Sequence, residues 1–343
     1  MSNDRTDGEA LAPHETTVLF GHGDAEQTLL NAYRSGRMPH AWLIGGQPGI
    51  GKATLAYRLA RFVLAHPDPA AADVQAASSL DIGADHPVAR RVAARAQGDL
   101  LVLERAINDQ TGKLYTTIRV DDVRRTVGFF GATAAEGGWR IAIVDAIDDL
   151  QREGANALLK ILEEPPPRTL LMLLSHSPGR ELPTIRSRCR RLLLRPLDNG
   201  DVVRAIAAAT GRDAGDAELV QAAAASDGSA GRALRFLDEK ALALRQRVLD
   251  LFAQLPNPDP RGMHALGDAL SGTDPETLAT FMDLVNGWLS QQINPQTNDA
   301  ARLNKAAEAW DNVNRAARDV DSYNLERKPL VFSVFGELAK AAR

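Results

Sequence analysis

A single cysteine, Cys189, among 343 residues excludes an internal disulfide and leaves too few thiolates for a cysteine-based zinc site. Aromatic side chains make up only 5% of the chain, too few to interleave with basic residues as a stacking platform for single-stranded nucleic acid. Neither sign of charge dominates: 40 Lys and Arg stand against 44 Asp and Glu, a formal net charge of -4. That mild acidity argues against a protein that coats nucleic acid by charge alone, and leaves room only for local basic contacts. Although 44% of the residues are hydrophobic, no uninterrupted apolar run is long enough to cross a membrane. The opening "MSNDRTDGEALAPHETT" has no apolar core of the kind a secretion signal needs. These absences lead us to expect a cytoplasmic protein with no zinc and no membrane contact.

What is present is an alternation of short apolar runs and helical periodicities. "AWLIG", Ala41 to Gly45, suits a buried parallel strand that ends at glycines. Leu55, Leu59 and Val63 then recur at helical spacing until "HPDP" stops them. "DLLVLER" from Asp99, "WRIAIVDAID" from Trp139, "RTLLMLLSH" from Arg168 and "RRLLLRPL" from Arg190 read as four further strands. Between them lie a helix with Val120, Val123, Val127 and Phe130 on one side and a helix that Pro165, Pro166 and Pro167 end. Strands that are nearly all apolar and alternate with helices predict an α/β domain whose parallel sheet is covered on both faces. Strand signals cease after Pro196. The expected organisation is a flexible tail over 1–16, the α/β domain over 17–196, a small helical domain over 197–240 and an all-helical domain over 241–343. Residues 67–98, Ala-rich and weakly periodic, read as an irregular excursion.

The turn after the first strand is "GQPGIGKA", Gly46 to Ala53. It follows the phosphate-binding consensus Gly-x-x-x-x-Gly-Lys-Ser/Thr up to its last position. Gly46, Gly49 and Gly51 permit a backbone that aims N–H groups at phosphate oxygens, the following helix adds its positive end, and Lys52 brings a charge. The hydroxyl that would help hold magnesium is missing at Ala53. Thr54 carries one a residue later, turned about 100° around the helix. The acidic half of such a site is Asp145, after the apolar Ile141 to Val144. Hydrolysis also needs a group that activates water, and Ala146 stands next to Asp145. Asp148 and Asp149 read as loop carboxylates that cap the next helix. Two apolar residues at catalytic positions point to a site that has lost hydrolysis.

"NALLKILEEPPPRTLLMLLSHSPGRELPTIRSRC", Asn156 to Cys189, resembles the core signature of bacterial clamp-loader subunits, members of the AAA+ ATPases. "RMPHAWLIGGQPGIGK" and "IRVDDVRRTVGFF" are similar to the same family, so the resemblance covers most of residues 19–235. The final "NLERKPLVFSVFGELAKAAR" is similar to the end of family members from alphaproteobacteria. The resemblance implies an AAA+ P-loop domain with a parallel sheet, a small helical lid and a helical collar. It also implies a place in a five-membered ring with delta and gamma/tau subunits, which load the sliding clamp (beta) onto primed DNA.

Three residue-level expectations follow from the resemblance. Arg188 matches the arginine finger that such subunits insert into a neighbour's ATP site. Ser175 matches the first sensor, a polar side chain near the γ-phosphate. The second sensor is displaced, with Gly231 at the family's arginine position and Arg232 one residue later, where a helix turns it elsewhere. Many relatives insert a four-cysteine zinc module where residues 67–98 hold no cysteine. The leading expectation is a non-hydrolysing subunit that presents Arg188 to a motor subunit. The alternatives are an active AAA+ ATPase that uses Thr54 and Asp148, and a nucleic-acid module built on Arg119, Arg124 and Arg125. Lys52 and the glycines permit weak binding of ATP or ADP, and the sequence leaves open whether either is held.

Overall fold

The computed structural model describes residues 10–107, 114–115, 117–131, 138–177, 181–272, 274–292, 300–323 and 325–342. They divide into two compact units, Met1–Leu234 and Arg235–Arg343.

In the first unit the chain runs α1 (Gly23–Arg34), β1 (Ala41–Gly45), α2 (Lys52–Ala65), α3 (Ala72–Ala76), α4 (Pro87–Ala93), β2 (Leu100–Glu104) and α5 (Val120–Gly131). It continues through β3 (Arg140–Asp145), α6 (Arg152–Glu163), β4 (Thr169–Ser175), α7 (Pro183–Arg186), β5 (Arg190–Leu193), α8 (Asn199–Thr210), α9 (Ala217–Ala225) and α10 (Ala230–Arg235). The five strands form one sheet in the order β2-β3-β4-β1-β5, with every pairing parallel. The expected α/β domain with a parallel sheet between helices is therefore the fold that forms. Alternation along the strands sends Trp42, Ile44, Ile141, Ile143 and Met172 to a face covered by α1, α2 and α4, and Ala41, Leu43, Val144 and Leu173 to the face covered by α5 and α6. Both faces are dry, which is why the strands read as continuous apolar runs.

Register brings the carboxyl-terminal ends of four strands side by side. Gly45 lies opposite Ser175, Asp145 opposite Leu174, and Glu104 opposite Asp145. Ligand sites of open parallel sheets form beyond these ends.

Three local expectations change. Only residues 10–16 of the expected tail are described, and they are tied down: the buried Arg61 donates to the Thr16 carbonyl at 2.9 Å and to the His14 carbonyl at 2.7 Å. The excursion over 67–98 contains α3 and α4, and Val74, Leu80, Ile82, Val88 and Val92 are buried in the same core as α2. These apolar residues are irregularly spaced among alanines, so they carry little amphipathic signal. On α5 the covered residues are Val123, Thr126 and Phe130, whereas Val127 is exposed.

The second unit holds α11 (Glu239–Phe252), α12 (Pro260–Leu270), α13 (Pro275–Gln292), α14 (Ala300–Tyr323) and α15 (Arg327–Ala341). Asp259 accepts from the Arg261 N–H, and Pro260 occupies the first turn, so "NPDPRG" starts α12 as well as interrupting the chain. Phe252, Phe281, Val285, Val313 and Phe335 fill this unit's core. Asn286 and Asn314 exchange amide hydrogen bonds of 3.1 and 2.9 Å between α13 and α14, which fixes their register. No helix among the described residues is long and apolar enough to cross a membrane.

Candidate functional site

The turn between β1 and α2 takes backbone angles open to glycine: φ is +74° at Gly49 and +102° at Gly51. Gly51 is the N-cap of α2 and offers no side chain, and no acidic residue lies in the helix's first turn. The positive end of α2 thus faces the loop without a protein carboxylate. Lys52 is buried, and its Nζ donates to the carbonyls of Gly46 and Gln47, each at 2.7 Å. The lysine charge is spent partly on its own loop. His22, just before α1, braces the other side through an Nε2 contact of 2.6 Å to the Ile50 carbonyl. Burial lowers the pKa of this imidazole, so the neutral ring serves as the donor. Nothing in the sequence around "FGHGD" signals that contact.

Beside the loop, Gly46 N–H donates to the Ser175 carbonyl at 3.2 Å, so the loop and the end of β4 are brought together. Ser175 is fully buried, and its Oγ accepts from the Ser177 N–H at 3.2 Å. Burial pushes the Asp145 carboxyl up to about 6, with the Lys52 charge opposing. Ala146 is buried and offers no proton acceptor. Asp148 and Asp149 do not cap α6, whose N-cap is Gln151 with no side-chain bond. Asp148 instead accepts from the His176 N–H at 2.7 Å, and Asp149 pairs with Arg105 at 3.3 Å. Thr54 lies in α2 one position beyond Ala53, with its side chain partly exposed. Ala53 offers no oxygen where the phosphate-loop consensus has a hydroxyl. Among the described residues no three His, Cys, Asp or Glu side chains group as metal ligands.

The small helices close over the same loop. Gln47 donates to the Asp227 carbonyl at 2.8 Å, Ser229 Oγ to the Pro48 carbonyl at 2.8 Å, and Gly231 N–H to the Gly49 carbonyl at 2.9 Å. A Cβ at Gly231 would lie 2.9 Å from Gly49 Cα, so this approach requires glycine. Arg232 is buried, and its Nη1 reaches Asp227 at 3.0 Å. Its charge is directed onto the turn between α9 and α10.

Arg188 sits away from this loop. Ile185, buried at 2% exposure, anchors α7, and the chain then turns so that Arg188 N–H donates to the Ile185 carbonyl at 3.0 Å. Its guanidinium meets Glu163 at 2.8 Å, the Thr184 carbonyl at 2.9 Å and Ser187 Oγ at 3.3 Å. The side chain keeps 35% of its surface exposed.

A family model described as DNA polymerase III, delta subunit, matches residues 21–198, just over half of the chain. The chain belongs to this family. It is 40% identical over 154 residues to the DNA polymerase III subunit delta' of Pseudomonas aeruginosa, covering 44% of this chain and 41% of that protein. It is 32% identical over 176 residues to the delta' subunit of Escherichia coli, covering 50% and 46% respectively. DNA polymerase III subunit tau of Salmonella typhimurium is 26% identical over 186 residues, 54% of this chain and 26% of that one. The chain thus aligns with less than half the length of these curated relatives. Among solved structures, a gamma subunit-related protein of Thermotoga maritima is matched with a TM-score of 0.41 at 16% identity, covering 93% of this chain and 100% of that one. The aligned half includes the loop at Gly46 to Ala53, Asp145, Ser175 and Arg188.

Proposed function

We propose that the chain is a delta prime-type subunit of the DNA polymerase III clamp loader, a member that does not hydrolyse ATP and serves a neighbour that does. The observation that carries the reading is a division between the two kinds of site. Cis-acting chemistry is missing at Ala53 and Ala146, while Arg188 stays partly exposed on a well-anchored turn. A guanidinium placed against a transferring phosphoryl group neutralises charge that grows toward the transition state, an effect worth about 10³–10⁵ in rate where it has been isolated. In this reading Arg188 acts in the ATP site of an adjacent gamma/tau subunit. A collar formed by residues 241–343 holds the chain in a ring with gamma/tau and delta subunits, which places the sliding clamp on primed DNA in the cytoplasm.

The loop at Gly46 to Ala53 then supports the fold and the lid. ATP or ADP binds it weakly or not at all, because Lys52 is engaged by loop carbonyls and the magnesium hydroxyl is absent. The test is Arg188→Ala in the reconstituted complex, with DNA- and clamp-stimulated ATP turnover and clamp loading as readouts. We expect both to fall severalfold or more, by less than the single-site factor because other sites in the ring keep their own fingers. Unchanged turnover and loading would defeat the finger role. Steady-state ATP hydrolysis by the isolated chain, abolished by Lys52→Ala, would instead favour an active ATPase.

A further inference from the structure

Glu163 is the last residue of α6, where the helix dipole presents its negative end and a carboxylate is disfavoured. The place is otherwise firmly fixed. Pro165 and Pro166 follow the C-cap Glu164, and the His40 ring contacts the Leu162 carbonyl at 3.1 Å, which ties this end of α6 to the start of β1. An unfavourable charge on a rigid end calls for a compensating partner, and that partner is Arg188, whose Nη2 lies 2.8 Å from Glu163 Oε1. The other terminal nitrogen, Nη1, donates to the Thr184 carbonyl at 2.9 Å and to Ser187 Oγ at 3.3 Å. One terminal nitrogen is thus held by α6 and the other by α7, so the planar group is oriented from two sides while 35% of the side chain stays exposed.

We propose that Glu163 is a positioning residue for Arg188. It orients the guanidinium on the rigid end of α6 before the neighbouring subunit docks, and it yields readily because the pair is half-exposed, with 35% of the arginine and 50% of the glutamate side-chain surface accessible. A more highly charged phosphate outcompetes a single carboxylate for the same donor. The proposal rests on the finger reading of Arg188.

The experiment is a double-mutant cycle in the reconstituted clamp-loader complex, with kcat and KM for DNA-stimulated ATP hydrolysis measured separately. Glu163→Ala should lower kcat about two- to fivefold and leave KM unchanged, in keeping with the modest strength of an exposed pair. Glu163→Gln, which keeps an oxygen acceptor in place, should recover most of the loss. In an Arg188→Ala background the Glu163 substitution should have no further effect. The same loss in that background, or a glutamine variant as slow as the alanine one, overturns the positioning role. Glu163→Ser serves the same cycle if the alanine variant does not assemble. The two readings fail differently. Arg188→Ala lowering turnover while Glu163→Ala leaves kcat unchanged sinks only the positioning role, whereas an inert Arg188→Ala removes the finger itself.

Discussion

Asp145 keeps its carboxylate beside Ala146, and the phosphate-loop position that usually carries a hydroxyl is Ala53. At the end of β3 it is mostly surrounded by sheet and loop, and burial raises its pKa from 3.8 to about 6 even with Lys52 nearby. A folded-state pKa above the unfolded one means that the native state binds the proton more tightly. Stability from this group is therefore present at acid pH and is lost as pH rises between about 4 and 6. The shift of about two units corresponds to an upper bound of about 3 kcal/mol, and residual hydration reduces it to the order of 1–2. Asp145→Asn should raise the unfolding free energy measured by urea titration at pH 7.5 by that amount, seen as a higher midpoint at unchanged slope, and remove the corresponding fall between about pH 4 and 6. A variant no more stable than the parent at pH 7.5 would show that the carboxylate is compensated by charges other than Lys52. Asp145 and Arg188 were legible in the sequence because an apolar strand points to one and a specific motif to the other. The role of Glu163 was not, although it lies within the same motif, because its pairing joins two elements 25 positions apart and only the turn at α7 closes that distance.

At the level of elements, the loop, its strand and its helix follow from local sequence. Five apolar residues end at glycines, and a helix begins at Lys52. The lid's closure does not, since Gln47 and Asp227 are 180 positions apart. Nor did periodicity disclose that α2 is enclosed on nearly every side, with Arg58 bonded to Glu26 at 2.6 Å and Asp81 at 2.9 Å. Buried arginines look like a solvated face until the elements that satisfy them are known. Burial pushes Arg61 down to about 10, still charged at neutral pH, and the carbonyls of His14 and Thr16 hold it. The lid contact yields an element-scale prediction. Gly231→Leu puts a side chain where Gly49 Cα lies 2.9 Å from the first added carbon, so α10 must move off the loop. Overpacking of this kind costs about 1–3 kcal/mol. Amide exchange should accelerate in residues 226–234 and 47–51 while the strands stay protected. Unchanged exchange in both segments would mean that the lid does not depend on this close approach.

For the whole molecule the question is where nucleic acid affinity resides. The net charge is -4, and the basic residues of α5 and its approach are already engaged: Arg119 with Asp122 at 2.9 Å, Arg124 with Asp121 at 3.1 Å and Arg125 with Asp122 at 3.6 Å. Pairs at this spacing are weak individually, yet each presents a carboxylate where a phosphate would have to approach. The isolated chain should therefore bind primed DNA no more tightly than about 10⁻⁴ M near physiological salt, the weak end of non-specific binding. Replacing Asp121 and Asp122 by Asn removes two negative charges from that surface. It should tighten binding several-fold and steepen the dependence on salt, because more phosphate counterions are then displaced. A titration in 50–200 mM salt, which is roughly the range over which such contacts lose most of their affinity, separates the cases. Micromolar binding by the unmodified chain with a steep salt slope would assign it a direct hold on DNA. Weak binding that the double substitution strengthens would leave that hold to the assembled ring.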